Sequence, residues 1–188
     1  GDDVVTAAEV TTIQEFRTLF GSEILAPGAS FSIRSMAFLF SDLVGSTAMY
    51  EMVGDATAFA LVRSHFELLE EIYSRNSGTL VKTIGDAVMA AFREPAQALQ
   101  AAIEMQEGIR RIIDPRSGRS LELRIGLHMG PCITMEANDR LDFFGTTVNL
   151  AARVQRAAEA SEIAVTESML EGADVAAPLG PRQPDLRL

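Results

Sequence analysis

The stretch TLVKTIGDAVMAAF, residues 79–92, predicts a β-hairpin near the middle of the chain. Residues 79–83 and 87–92 are rich in apolar and β-branched side chains, and Gly85-Asp86 between them is typical of a tight turn. We expect Asp86 to lie exposed at the tip of this hairpin. An aspartate is common in turns, so taken alone it has an ordinary structural explanation.

Outward from the hairpin, apolar patterns predict alternating strands and helices. Strands are expected at residues 32–43, 121–129, 131–136, 140–144 and 162–165. Helices are expected at residues 48–75, with a break near Gly54, and at 95–113, 146–160 and 167–171. The order β-α-β-β-α-β predicts an α+β fold with a ferredoxin-like βαββαβ core and additional strands and helices. In such a fold we expect an antiparallel sheet with helices on one face.

The 188 residues suffice for one domain with short extensions. Residues 1–30 are interpreted as an N-terminal linker, because residues 9–23 have helical apolar spacing and Pro27-Gly28 interrupts the chain after them. Residues 31–175 form the expected domain, and residues 176–188 are interpreted as a C-terminal tail of a truncated chain.

Net charge and composition exclude several classes of function. The formal net charge of −10 argues against coating nucleic acid or an anionic membrane, since both need a basic surface. No apolar run reaches the roughly 18 residues of a membrane span, and no signal peptide is recognisable. The single cysteine, Cys132, precludes an intrachain disulfide and fits a reducing compartment, so we expect a cytoplasmic location. Neither His65 nor His128 has the neighbours of a zinc site, and Cys132 is expected to be buried and inert.

Two aspartates follow predicted strands beside turn residues. Asp42 ends an apolar strand, and Gly45-Ser46-Thr47 leads into the next helix. Backbone N–H groups at a helix start favour phosphate, which a neighbouring carboxylate repels unless a cation such as Mg²⁺ lies between them. Asp86 on the neighbouring hairpin could complete a site for two divalent ions about 4 Å apart. Alternatively, Asp42 only caps the turn.

Four further polar or charged residues lie within otherwise apolar segments. Lys82 is the only lysine among 16 basic residues and lies beside the hairpin turn. Asp142 lies in the segment Leu-Asp-Phe-Phe-Gly that ends at residue 145. Asn149 and Arg153 are four residues apart and therefore share a helical face, which could equally be a polar surface stripe.

Together these clusters resemble the class III nucleotidyl cyclases, the adenylate and guanylate cyclase catalytic domains. The resemblance covers about residues 34–171. It rests on the order and spacing of Phe-x-Asp-x-x-Gly-Ser-Thr from residue 40, Lys-Thr-x-Gly-Asp from residue 82 and Asp-x-x-Gly-x-x-Val-Asn-x-Ala-x-Arg from residue 142.

The resemblance implies a two-metal reaction. Asp42, Asp86 and the backbone carbonyl of Leu43 correspond to the ligands of two Mg²⁺ or Mn²⁺ ions. These ions would activate the ribose 3′-hydroxyl for in-line attack on the α-phosphate and neutralise the triphosphate. Arg153 corresponds to the arginine that stabilises charge on the α-phosphate, and Asn149 to the residue that orients the ribose.

The resemblance also indicates how the substrate is bound. Lys82 and Asp142 correspond to the residues that select the base. Lysine only donates and carboxylate only accepts hydrogen bonds, which fits adenine, so ATP is the expected substrate and cyclic AMP the product. The remaining expected substrate contacts are Gly45, Ser46, Thr47 and Phe144.

Family geometry implies a head-to-tail homodimer with shared sites, in which one chain supplies the metal ligands and the other supplies the base-selecting and catalytic residues. The linker helix suggests an upstream regulatory domain. The chain departs from the family in lacking the Leu-Lys-Gly segment and the final strand that often supplies a lysine to the triphosphate. Glu162 lies where some members have a basic residue, and residues 134–140 are unusually polar.

Three alternatives differ in function. The domain could cyclise GTP or a pyrimidine triphosphate. It could be a catalytically silent dimerisation module, against which the complete set of six site residues argues. A palm-type polymerase or diguanylate cyclase would share the fold, but the chain has no Gly-Gly-Asp/Glu-Glu-Phe hairpin.

Overall fold

The computed structural model describes residues 11–13, 30–137, 140–171 and 186–187. The linker helix predicted at 9–23 therefore lies outside the described residues except for 11–13, and the C-terminal tail does so except for 186–187. The described elements are β1 (Ser30–Leu43), α1 (Ser46–Val53), α2 (Asp55–Arg75), β2 (Gly78–Ile84), β3 (Ala87–Phe92), α3 (Pro95–Ile109), β4 (Leu123–Ala137), β5 (Arg140–Phe144), α4 (Thr146–Ala157), β6 (Ile163–Val165), α5 (Glu167–Glu171) and β7 (Leu186–Arg187).

The strand order confirms the predicted fold class. Strands β2, β3, β1 and β4 lie side by side in that order and are antiparallel, as a ferredoxin-like core requires. Strand β5 returns antiparallel to the end of β4, while β6 pairs with the start of β4 in parallel and β7 pairs in parallel with β6. The expectation of a wholly antiparallel sheet is therefore wrong for β6 and β7. Strand β6 is parallel to β4 because α4 crosses over between these paired strands and returns the chain in the same direction.

Each face of the sheet has its own apolar layer, because alternate residues of β1 point to opposite faces. Leu39 belongs to the layer that α2 and α3 cover. Phe38 belongs to the layer on the other face, where its ring meets that of Phe143 edge-on at 5.3 Å and Ala151 of α4 also packs. The expectation of helices on one face is therefore wrong, because α4 covers the second layer.

Two glycines of β4 let α4 approach the sheet closely. A Cβ atom at Gly126 would collide with the backbone of Gln155, and one at Gly130 would lie 2.8 Å from Thr147 Oγ1. The Thr147 hydroxyl in turn donates to the carbonyl of Pro131 at 2.5 Å. These contacts fix α4, and with it Asn149 and Arg153, over β4.

Most element boundaries agree with the sequence prediction. The helix break lies at Gly54, whose φ of +80° favours glycine. Helix α3 ends at Ile109 rather than at residue 113, because the backbone N–H groups of Arg111 and Ile112 donate to carbonyls three residues back and tighten the chain into a turn. The two strands predicted at 121–129 and 131–136 form the single strand β4. None of the described helices is long and apolar enough to cross a membrane.

Candidate active site

The sheet register brings Asp42 and Asp86 to the same edge. The last residue pair between β1 and β3 is Ser41 with Val88. Asp42 directly follows Ser41, and Asp86 lies two residues before Val88. The hairpin turn has only two residues, and Gly85 has a φ of +64°, which glycine adopts without strain. We call Asp42 and Asp86 the acidic edge.

The two carboxylates of the acidic edge have different surroundings. Asp86 is half-buried rather than exposed as the sequence led us to expect, and its Oδ2 atom is buried without a hydrogen-bond partner among the described residues. Asp42 Oδ2, in contrast, accepts a hydrogen bond from Arg124 Nη2 at 2.5 Å. The acidic edge therefore includes one buried oxygen whose bonding capacity is unused.

Arg124 was not predicted as a site residue. It lies on β4 directly opposite Asp42 in the sheet register. The signal was present in the sequence, since Arg124 is a charged residue between Leu123 and Ile125. In an alternating strand, however, such a residue is ordinarily solvent-facing, and only the register shows its proximity to Asp42.

The donor set of the acidic edge fits Mg²⁺ or Mn²⁺. Within the described part of the chain no group of three or more His, Cys, Asp or Glu side chains could hold a metal. Magnesium is commonly bound by one or two carboxylates, with water and substrate phosphates completing its shell, so two carboxylates with an unused oxygen are sufficient. A structural zinc site, which needs about four protein ligands, does not fit.

The start of α1 follows Asp42 within four residues. Gly45 is left-handed with a φ of +69°, and no side chain caps the helix. The first N–H groups of α1, at Ser46 and Thr47, therefore have no intrahelical acceptor, and the helix dipole adds partial positive charge there. This helix end can bind an anion beside the acidic edge.

Lys82 and Asp142 form a pair between β2 and β5. Lys82 Nζ lies 2.5 Å from Asp142 Oδ2, and Asp142 Oδ1 accepts from the backbone N–H of Phe143 at 2.8 Å. The side chain of Lys82 is 39% exposed and that of Asp142 is 15% exposed. Lys82 Nζ also lies 6.0 Å from the centroid of the half-exposed Phe144 ring. The structure thus brings together the two residues predicted to select the base, Lys82 and Asp142, and the predicted substrate contact Phe144.

Asn149 and Arg153 lie on the exposed side of α4. Neither side chain has a hydrogen bond or ion pair with any other residue that the structure describes. They are held by a helix whose opposite side packs on β4 through Gly126 and Gly130. Their side chains are therefore available to a ligand or a second chain.

A buried histidine lies close enough to Asp86 to feel its charge. His65 of α2 is fully buried, and neither ring nitrogen has a partner among the described residues. Burial lowers its pKa to about 4, although the charge of Asp86 acts in the opposite direction. His128 instead bonds Thr166 Oγ1 through Nδ1 at 2.8 Å. Burial raises the pKa of Cys132 to about 11, which agrees with an inert thiol.

Comparisons with known proteins identify the family and the fold. Residues 30–175 match the family model described as the adenylate and guanylate cyclase catalytic domain. An adenylate cyclase of Anabaena cylindrica is 30% identical over 165 residues, which cover 80% of this chain and 33% of that protein. The Homo sapiens guanylate cyclase soluble subunit beta-2 is 26% identical over 137 residues, which cover 68% of this chain and 22% of that protein. The chain thus spans a third or less of the length of these relatives.

A solved structure shares the fold. It is the catalytic core of a rhodopsin-guanylyl cyclase with converted specificity in complex with ATPαS, and its TM-score is 0.70 at 25% identity. The match covers 78% of this chain and 84% of that one. Because the family model covers most of the chain, and both a relative and a structure agree with it, the chain belongs to the adenylate and guanylate cyclase catalytic domain family.

Proposed function

We propose that this domain is an adenylate cyclase, which converts ATP to 3′,5′-cyclic AMP and pyrophosphate. The observation that supports ATP over GTP is the Lys82–Asp142 pair. The adenine edge offers an acceptor at N1 and donors at the 6-amino group, which match an ammonium donor and a carboxylate acceptor. Guanine presents the reverse order of donors and acceptors. Phe144 adds an exposed aromatic face beside the pair.

The triphosphate would bind between the acidic edge and the start of α1. The N–H groups of Ser46 and Thr47, which no side chain caps, would donate to phosphate oxygens. Asp42, Asp86 and the backbone carbonyl of Leu43 would hold two Mg²⁺ or Mn²⁺ ions. When bound, these ions supply Lewis acidity toward the 3′-hydroxyl and offset the charge of the triphosphate. The unused Oδ2 atom of Asp86 supports this assignment.

The remaining steps belong to residues of α4. Asn149 would hold the ribose so that its 3′-oxygen lies in line with the α-phosphorus and the leaving oxygen. The 3′-hydroxyl then loses its proton to water, its oxygen forms a bond to the α-phosphorus, and the bond between the α-phosphorus and the pyrophosphate oxygen breaks. Arg153 would donate to the α-phosphate oxygens as charge develops there, and its fixed fork of donors suits that geometry.

The active form is proposed to be a head-to-tail homodimer with two shared sites. Asn149 and Arg153 have no partner among the described residues of their own chain, although their helix is firmly packed. The exposed apolar side chains Ile133 and Phe144 pair across β4 and β5, and Leu150 is exposed next to Asn149. In this arrangement one chain supplies the acidic edge and its partner supplies the base-selecting pair and α4.

The wider context of the domain is also a proposal. The curated relatives are at least three times longer than the matched region, which supports an upstream regulatory domain joined through residues 1–30. A cytoplasmic location is consistent with the buried free thiol of Cys132.

Product analysis tests the proposed activity. The full chain is incubated with each of the four nucleoside triphosphates and Mn²⁺ or Mg²⁺, and products are identified by mass. We expect 3′,5′-cyclic AMP and pyrophosphate from ATP. Cyclic GMP as the preferred product would overturn the ATP assignment, and the absence of any cyclic nucleotide from the folded protein would overturn the enzymatic one.

A further inference from the structure

Arg124 holds one member of the acidic edge. Its Nη2 atom lies 2.5 Å from Asp42 Oδ2, and the two residues face each other across β4 and β1. The pair is partly shielded from solvent, since the side chains are 35% and 24% exposed. The Nε atom of Arg124 is buried and has no hydrogen-bond partner among the described residues, so the guanidinium makes a single contact rather than a two-point one.

The two carboxylates of the acidic edge therefore differ in how readily they can bind a divalent cation. Asp86 Oδ2 is unpartnered, whereas Asp42 Oδ2 is neutralised by a cation that belongs to the protein itself. A divalent ion bound to that oxygen would meet the positive charge of Arg124 at close range. Two cations compete for one oxygen, because the attraction of each to the carboxylate is offset by their mutual repulsion.

We infer that Arg124 is a built-in competitor of the divalent cation at Asp42. It offsets the charge of Asp42 before metal and nucleotide arrive, and it must release Asp42 when a metal binds. Arg124 is thus a positioning residue that acts through Asp42 and keeps the metal affinity of the nucleotide-free domain low. This inference rests on the proposed metal-binding role of the acidic edge.

A purely structural role for Arg124 predicts the opposite effect. If the arginine only supported Asp42 in a binding geometry, its removal would disorder the carboxylate and weaken metal binding. If it competes with the metal, its removal strengthens metal binding. The sign of the change in affinity therefore separates the two roles.

The test is a titration of the nucleotide-free protein with Mn²⁺, in which free Mn²⁺ is followed by electron paramagnetic resonance. We expect Arg124→Gln to lower the dissociation constant by about 3- to 10-fold, an effect limited by screening at this partly exposed site. Arg124→Lys retains the charge and should stay close to wild type. Arg110→Gln removes the same charge at the exposed end of α3 and should change nothing. An unchanged or weaker affinity of Arg124→Gln overturns the inference.

A second measurement on the wild-type protein covers the case in which Arg124→Gln does not fold. The Nε–H signal of Arg124, identified by its loss in Arg124→Lys, should shift on addition of Mg²⁺ as the guanidinium leaves Asp42. An unmoved signal at saturating Mg²⁺ overturns the inference. Asp86→Asn serves as the separate check on the metal site: if it binds Mn²⁺ as wild type does, the proposed metal site fails, whatever Arg124 does.

Discussion

The acidic edge and the Lys82–Asp142 pair differ in how far the chain satisfies its own polar groups. Both oxygens of Asp142 are bonded, one to Lys82 and one to the backbone of Phe143. At the acidic edge, Asp86 Oδ2 is buried without a partner among the described residues, and Asp42 is bonded through Arg124. An unsatisfied buried oxygen costs folding free energy, so it is expected where a ligand completes the site.

The comparison separates two kinds of preparation for a substrate. The Lys82–Asp142 pair holds a donor and an acceptor in place before any base arrives, and both must turn from each other toward it. At the acidic edge, Asp86 keeps its negative charge available for a cation, whereas Arg124 offsets the charge of Asp42. If the two regions differ in this way, substitutions at the acidic edge should affect catalysis, and substitutions at the Lys82–Asp142 pair should affect the choice of base.

The largest effect is expected at the acidic edge. Asp86→Asn removes the charge that binds metal, so we expect cyclase activity to fall by about 10³-fold or more. Thermal stability should be unchanged or higher, because the wild-type oxygen is buried and unpartnered. The measurement is the rate of cyclic AMP formation beside a melting curve. Glu67→Gln, an exposed site on α2, is the matched control and should retain full activity. Retained activity in Asp86→Asn contradicts the assignment.

A smaller effect is expected at the base-selecting pair. Replacing Lys82 by Glu and Asp142 by Cys reverses the order of donor and acceptor. We expect kcat/KM for ATP to fall by about 10²-fold and that for GTP to rise, because mismatched polar groups would be left unpaired against adenine. Steady-state kinetics with both nucleotides check this. Equal losses for ATP and GTP would show that the pair supports structure and does not select the base.

The smallest effect is a dependence of stability on pH that comes from the buried His65. The pKa of His65 is about 4 in the folded chain and near 6.5 when unfolded, so only the unfolded state binds the proton between these values. Stability is therefore lost as pH falls from about 6.5 toward about 4. Relative to His65→Leu, the wild type should lose about 2 kcal/mol of unfolding free energy between pH 7 and pH 5, as measured by urea denaturation. Parallel pH profiles of the two proteins would contradict this.

The sequence predicted the parts of the site that depend on local pattern. Strand ends, a two-residue turn and a helix start are local features, and they were sufficient to predict that Asp42 ends a strand and that Asp86 lies in a hairpin turn. Arg124 was missed because its importance depends on the register between β1 and β4, in which Asp42 and Arg124 are 82 positions apart along the chain. Long-range register is not encoded in any single window of sequence.

The position of α4 was missed for a similar reason. The spacing of apolar residues along α4 shows that one side of the helix is buried, but it does not show which face of the sheet the helix covers. That choice depends on Gly126 and Gly130, whose missing side chains make room on one face of β4. The direction of β6 follows from this crossing, which explains why the mixed character of the sheet was not predicted.

The most direct test of the shared site is a mixing experiment with Asp42→Ala and Arg153→Ala chains. Each variant alone should be inactive, because both of its sites lack one essential residue. In an equal mixture about half of the dimers contain one chain of each kind, and each of these has one intact site of two, so about a quarter of wild-type activity should return. A mixture that forms mixed dimers but stays inactive would contradict the account.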